Sequence, residues 1–119
     1  MKNIVIIGAG GVGRETALII QQINELELTW NLIGFIDDNK DSWGKVINGY
    51  SVIGGIDSLE VLPSDTYIII AIANYEIKRK IVNKINNSKN NNQKGNSFYS
   101  LPNFVFSNIL FTPVFSTNY

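Results

Sequence analysis

MKNIVIIGAGGVGRET, residues 1–16, passes without a break from a β-branched run to a cluster of glycines and then into a helical pattern. Ile4-Val5-Ile6-Ile7 is continuous and apolar, as in a parallel-sheet strand covered on both faces. From Val12 onward Thr16, Ile19, Ile20 and Ile23 recur at spacings of three and four, with Ala17 on the same face. That spacing predicts an amphipathic helix. Between strand and helix, Gly8, Gly10 and Gly13 spell G-x-G-x-x-G. The first glycine permits a sharp turn, the second lets a pyrophosphate approach the backbone, and the third lets the helix pack close to the strand. Free N–H groups at the helix start then face the anion, supported by the helix dipole. Alone the pattern is weak; the strand before it and the helix after it supply the context it requires. A glycine turn kept only for tight packing is the alternative. Valine at Gly10 is expected to abolish nucleotide binding, both by blocking the approach and by resisting a positive φ.

Working outward, Trp30–Ile36 reads as a second strand, stopped by Asp37-Asp38-Asn39. Lys40–Tyr50 is a polar loop or hairpin carrying Gly44 and Asn48-Gly49, both turn signals. Ser51-Val52-Ile53 is a short strand ending at Gly54-Gly55. Ile56, Leu59 and Leu62 suggest a short helix that stops at Pro63. Thr66–Ile72 is a third buried strand. Tyr75–Asn87 reads as an amphipathic helix with Ile77, Ile81, Val82 and Ile85 toward the core and Lys78, Arg79, Lys80 and Lys84 around the other side. Strand and helix alternate, so the fold class is α/β: a small Rossmann-like parallel sheet with helices on both faces and right-handed crossovers.

The rhythm breaks at residue 88. An Asn-rich linker is followed by a tail with no charged residue after Lys94. Seven of the chain's aromatic residues, Phe98, Tyr99, Phe104, Phe106, Phe111, Phe115 and Tyr119, lie in that tail, which is unlike the aromatic-poor composition of disordered chains. FVFSNILF, residues 104–111, is a strand-like window within it. The division is therefore residues 1–87, the Rossmann-like domain, and residues 88–119, the linker and tail.

At 119 residues the chain is long enough for one domain with a real core. It has no Cys and no His, which excludes disulfides, a thiol nucleophile, Ser–His or Cys–His couples and most transition-metal sites. No metal site and no catalytic residue is expected. Ten basic and ten acidic residues cancel, so no overall charge points to nucleic acid or an anionic membrane. The four-residue apolar run Ile4–Ile7 is too short for a signal peptide, and no stretch nears the roughly 20 residues of a membrane helix. A reducing cytoplasm is the expected setting.

An acid at the end of the second strand marks nicotinamide dinucleotide sites, where it takes the ribose hydroxyls. Asp37 holds that position, but Asp38 follows it. A second carboxylate would repel the 2′-phosphate of NADP and could accept the imide N–H of a uracil ring. A plain turn cap over Asp37-Asp38-Asn39 stays open. Arg14, in the first helical turn, either reaches a phosphate or pairs on the surface, where ion pairs contribute little.

Four segments, IVIIGAGGVGRE, WNLIGFIDDN, GKVINGYSVIGGIDSL and IIIAIANYEIKRKIV, come in an order far more specific than a glycine loop. Over roughly residues 2–87 they resemble the N-terminal domain of bacterial sugar acyltransferases of the sialic acid O-acetyltransferase and bacillosamine N-acetyltransferase type. The resemblance implies a small domain that binds the UDP part of a nucleotide sugar, an N-acetylated amino sugar among the candidates. It also implies a C-terminal left-handed β-helix that binds acetyl-CoA, the co-substrate, and assembles trimers. By that likeness Gly8, Gly10, Gly11, Val12, Gly13 and Arg14 would surround the diphosphate, and Asp37 and Asp38 would read uridine. Gly54-Gly55 would turn the chain, and residues 71–74, with Ala73 and Asn74, would border the sugar. Ala73 stands where the family usually has glycine, and Lys78 where a basic residue is common. Residues 88–119 show neither the family's histidine-bearing segment nor its hexapeptide repeats. The chain is therefore expected to lack the acetyl-CoA site, to be truncated and catalytically incompetent alone, and to form the family's trimer only with the β-helix. A frameshift, an early stop and an unrelated short ending stay open as the origin of the tail, which is expected to be dispensable for nucleotide binding. An NAD-binding module and a structural interaction module are the competing functions.

Overall fold

The three apolar runs become the centre of one sheet. The computed structural model describes residues 1–91 and 104–105, with side chains described through residue 87. The strands are β1 (Lys2–Ile7), β2 (Trp30–Ile36), β3 (Val46–Ile47), β4 (Tyr50–Gly54), β5 (Tyr67–Ile70) and β6 (Phe104–Val105), and the helices are α1 (Gly11–Leu26) and α2 (Tyr75–Asn91). Short 3-10 helices cover Lys40–Ser42 and Ile56–Val61. The sheet order is β3-β4-β2-β1-β5-β6. All neighbours are parallel except β3 and β4, which form a hairpin over Asn48 and Gly49. Both turn residues have positive φ, 52° and 88°, as a two-residue hairpin turn with the twist of its strands requires.

Alternate residues of the central strands feed two cores. Ile4, Ile6, Leu32, Phe35 and Ile69 pack with Ala17 and Ile20 of α1. Val5, Ile7, Ile36, Ile68 and Ile70 pack on the other face with Ile56, Leu59 and Ile85. A strand covered on both sides has no use for polar alternation, and this explains the unbroken β-branched runs. Each fully buried isoleucine contributes about 1.5–3 kcal/mol of transfer free energy. This is the Rossmann-like α/β arrangement read from the sequence, with β1 between β2 and β5 and helices on opposite faces.

Local polar groups fix the connections. The Asn24 side chain accepts the N–H groups of Thr29 and Trp30 at 3.0 and 2.9 Å and donates to the Trp30 carbonyl at 2.8 Å. It thereby joins the last turns of α1 to the start of β2. Trp30 in turn stands edge-on to Tyr67, with ring centroids 5.3 Å apart.

β2 has the bounds expected for it, while β5 ends at Ile70, short of Ile72. α2 continues to Asn91, past the expected end at Asn87, since no glycine or proline interrupts it. Within the strand-like window of the tail, Phe104 and Val105 pair with Ile68 and Ile69. The remaining expectations for the linker and tail lie outside the described residues.

Candidate functional site

At the carboxyl end of β1 the chain leaves for one face of the sheet through α1, and at the end of β5 it leaves for the other through α2. Diverging connections of this kind open a crevice at the strand ends, where ligands of such folds bind. Here the crevice has a volume of about 510 Å³. Its wall is built from Gly8, Gly10, Gly11 and Val12, from Ile36, Asp37 and Asp38 after β2, from Ile56, from residues 71–73, and from Ile77, Lys80, Ile81 and Lys84 of α2.

The glycine loop divides into supporting and approachable positions. Gly8 has φ +113°, and a β-carbon there would come within 2.6 Å of the Ala71 carbonyl oxygen. Its N–H donates to Ile36 at 2.7 Å. At Gly13 a β-carbon would overlap the Gly8 carbonyl oxygen, so α1 rests directly on the loop. Gly10 and Gly11 differ: a β-carbon on either meets nothing within 4 Å. Gly10 caps α1 without a side-chain hydrogen bond, leaving first-turn N–H groups for a ligand. The expectation of positive φ at Gly10 is corrected, since its φ is −88° and Gly8 carries the left-handed turn.

Both carboxylates after β2 have structural partners. Asp37 accepts the Ala9 N–H on one oxygen and the Asn39 N–H on the other, each at 2.9 Å, tying the glycine loop to the β2 end. The indole N–H of Trp43, itself 44% exposed, donates to the Asp37 carbonyl at 2.7 Å. Asp38 accepts the Ile56 N–H at 2.9 Å, and its second oxygen lies 3.5 Å from the Lys84 ammonium, both side chains being about half exposed. A carboxylate offers about four lone-pair sites, so each retains acceptor capacity.

Of the residues expected in the site, Gly8, Gly10, Gly11, Val12, Asp37, Asp38 and Ala73 line the crevice. Gly13 lies beneath the loop. Arg14 is exposed, with its carbonyl accepting from the Asn48 side chain at 3.3 Å, and Asn74 accepts the Ile77 N–H at 3.0 Å and so caps α2. Neither these two nor Lys78 belongs to the wall. Lys80 and Lys84 belong to it instead, which corrects their placement away from the core side. Ile77 is likewise 47% exposed on the crevice and not in the core. The signal was present in the spacing: 77, 80, 81 and 84 share one helical face. Among the described residues no cluster of three His, Cys, Asp or Glu could hold a metal, and no helix is long and apolar enough to cross a membrane.

A parallel sheet with a glycine loop under its first helix defines a Rossmann-like domain. Residues 3–85 match the PglD N-terminal domain, and the chain belongs to that family. The resemblance to the N-terminal domain of sugar acetyltransferases thus holds at the level of this domain family. Among solved structures it is similar to the acetyltransferase domain of PglB from Neisseria gonorrhoeae FA1090 in complex with acetyl coenzyme A. Identity is 27% and TM-score 0.54, over 70% of this chain and 38% of that one. It is also similar to UDP-D-quinovosamine 4-dehydrogenase from Vibrio fischeri, at 22% identity and TM-score 0.56, over 72% and 70% of the two chains. A third is RSP, a Rex-family repressor, in complex with β-NADH, at 22% identity and TM-score 0.53, over 71% and 40%. The last two show the fold alone. The chain spans about 40% of the length of the repressor and of the PglB domain. No curated protein matches it.

Proposed function

We propose that this domain binds a UDP-sugar for an acetyl-CoA-dependent sugar acetyltransferase, with acetyl transfer taking place outside it. The observation that carries the reading is the juxtaposition of an approachable, uncapped glycine loop with the Asp38 carboxylate across one crevice. The diphosphate would lie on the N–H groups of Gly10, Gly11 and Val12, where the helix dipole favours an anion. Asp38 would accept the uracil imide N–H, and residues 71–73, which belong to the wall, would border the sugar. The β-carbon of Ala73 narrows that side of the crevice. An N-acetylated amino sugar follows from the family likeness. A cytoplasmic setting belongs to the same reading. The chain has no histidine, the usual base for deprotonating an acceptor, and binding without transfer is consistent with this.

The NAD reading is less well supported by Asp37. In dinucleotide sites that acid faces the ribose, whereas here Asp37 ties the loop and turn together through an N–H bond on each oxygen, and only its remaining lone pairs could serve a ribose. Differential scanning calorimetry with UDP-N-acetylglucosamine, UDP, NAD and NADP separates the two. A ligand at 100 times its dissociation constant adds about 2.7 kcal/mol of stability, an upward shift on the order of 10 °C for a domain of this size. That shift is expected for the uridine ligands and a much smaller one for NAD. An equal or larger shift with NAD would replace this reading by a dinucleotide module.

A further inference from the structure

Two cations stand on the crevice wall, both on α2 and four residues apart. Lys80 forms no ion pair among the described residues, and Lys84 holds only the half-exposed contact to Asp38. They face an uncapped helix N-terminus across the same space. We propose that Lys80 and Lys84 are the side-chain ligands of the diphosphate, and that Lys84 exchanges Asp38 for the phosphate when the nucleotide enters. The inference rests on the nucleotide reading of the crevice and adds to it the charges that hold the ligand.

Charge balance within the crevice is the reason. Its wall carries Asp37 and Asp38 beside Lys80 and Lys84. A doubly negative diphosphate meets two carboxylates on the β2 side and the two ammonium groups on the α2 side. Among the described residues, Lys80 and Lys84 are the cationic side chains of the wall, and Arg14 and Lys78 lie outside it. The Lys84–Asp38 contact is long and solvent-screened, the kind of pair that contributes least and is most easily given up. An ammonium on a flexible stem suits such an exchange, because it needs no fixed fork geometry. Losing its lysine leaves Asp38 with an uncompensated oxygen at the moment a base N–H can occupy it. Phosphate capture and base reading are thereby coupled through one side chain.

The test is titration calorimetry on the full chain with UDP-N-acetylglucosamine, pyrophosphate and uridine. Lys80→Met and Lys84→Met keep the helical stem and remove the charge. Each is expected to weaken UDP-N-acetylglucosamine and pyrophosphate about tenfold, as loss of a charge-assisted hydrogen bond implies, and to leave uridine no weaker. Lys84→Arg should restore most of the loss. Asp38→Asn should act in opposite directions, weakening uridine and tightening pyrophosphate by releasing Lys84. Unchanged pyrophosphate affinity in both Met variants would overturn the proposal, as would equal weakening of pyrophosphate and uridine by Asp38→Asn. Preference for NAD over UDP-sugars would sink the uridine reading alone, because pyrophosphate still reports on the lysines. Circular dichroism confirms that the exposed substitutions leave the fold intact.

Discussion

Gly13→Ala is expected to destabilise the domain by about 3 kcal/mol or more, against the ordinary helical trend. In an exposed helix interior the same change stabilises by roughly 0.5–1 kcal/mol, because alanine loses less backbone freedom. The sign reverses here because the added methyl overlaps the Gly8 carbonyl oxygen and would lie 2.9 Å from its carbon. Neither partner can retreat. Gly8 is fixed by its N–H bond to Ile36 and by the Ala71 backbone behind it, and Phe35 stands 3.5 Å from the added carbon. Relief requires lifting α1 from the sheet and opening the core around Ala17 and Ile20. With total stability typically 5–15 kcal/mol, this is a large fraction. Urea denaturation followed by circular dichroism measures it, and a variant as stable as the parent would show that α1 does not rest on the loop.

Gly10→Val gives the complementary result three residues away. A β-carbon there meets nothing within 4 Å, and the backbone at φ −88°, ψ −158° is extended, so stability should change by less than about 1 kcal/mol. Nucleotide affinity should fall by about 100-fold, since the isopropyl group occupies the space from which a diphosphate reaches at least two loop N–H groups. Paired denaturation and calorimetry distinguish the two glycines. Full affinity for UDP-N-acetylglucosamine in folded Gly10→Val would mean that the loop serves only packing.

The same pair of glycines shows how far the sequence could be read. Gly8, Gly10 and Gly13 announced a strand–turn–helix, and the local pattern sufficed because each neighbour in sequence is also a neighbour in space. Residues 30–36 likewise formed β2, a short run rich in β-branched and aromatic residues that Asp37-Asp38-Asn39 ends. The backbone at Gly10 was misread because both it and Gly8 suit a left-handed turn, and only the packing against Ala71 selects Gly8. Lys80 and Lys84 were harder. A two-sided division of α2 into core and solvent leaves no place for a third environment, the crevice, which exists only once α2 is set at the end of β5. Asp38, the partner of Lys84, is 46 residues away from it, and no local spacing signals the pair. The hydrogen bonds of Asp37 were partly legible, since the turn cap over Asp37–Asn39 is present, but its reach back to Ala9 depends on β1 and β2 lying side by side.

Trp43 gives the domain its own optical signal. The chain has two tryptophans, and the structure assigns them different tasks. Trp30 is half buried against Tyr67 at the start of β2, so its emission follows unfolding. Trp43 is 44% exposed, bonded to the Asp37 carbonyl and lying against Gly55 beside Asp38. A ligand that engages Asp38 changes the field and solvation of that indole while leaving Trp30 in place. A Trp30→Phe chain should therefore change its fluorescence on adding a UDP-sugar, whereas a Trp43→Phe chain should stay nearly silent until it unfolds. One cuvette thus separates occupancy of the crevice from integrity of the fold, without any label.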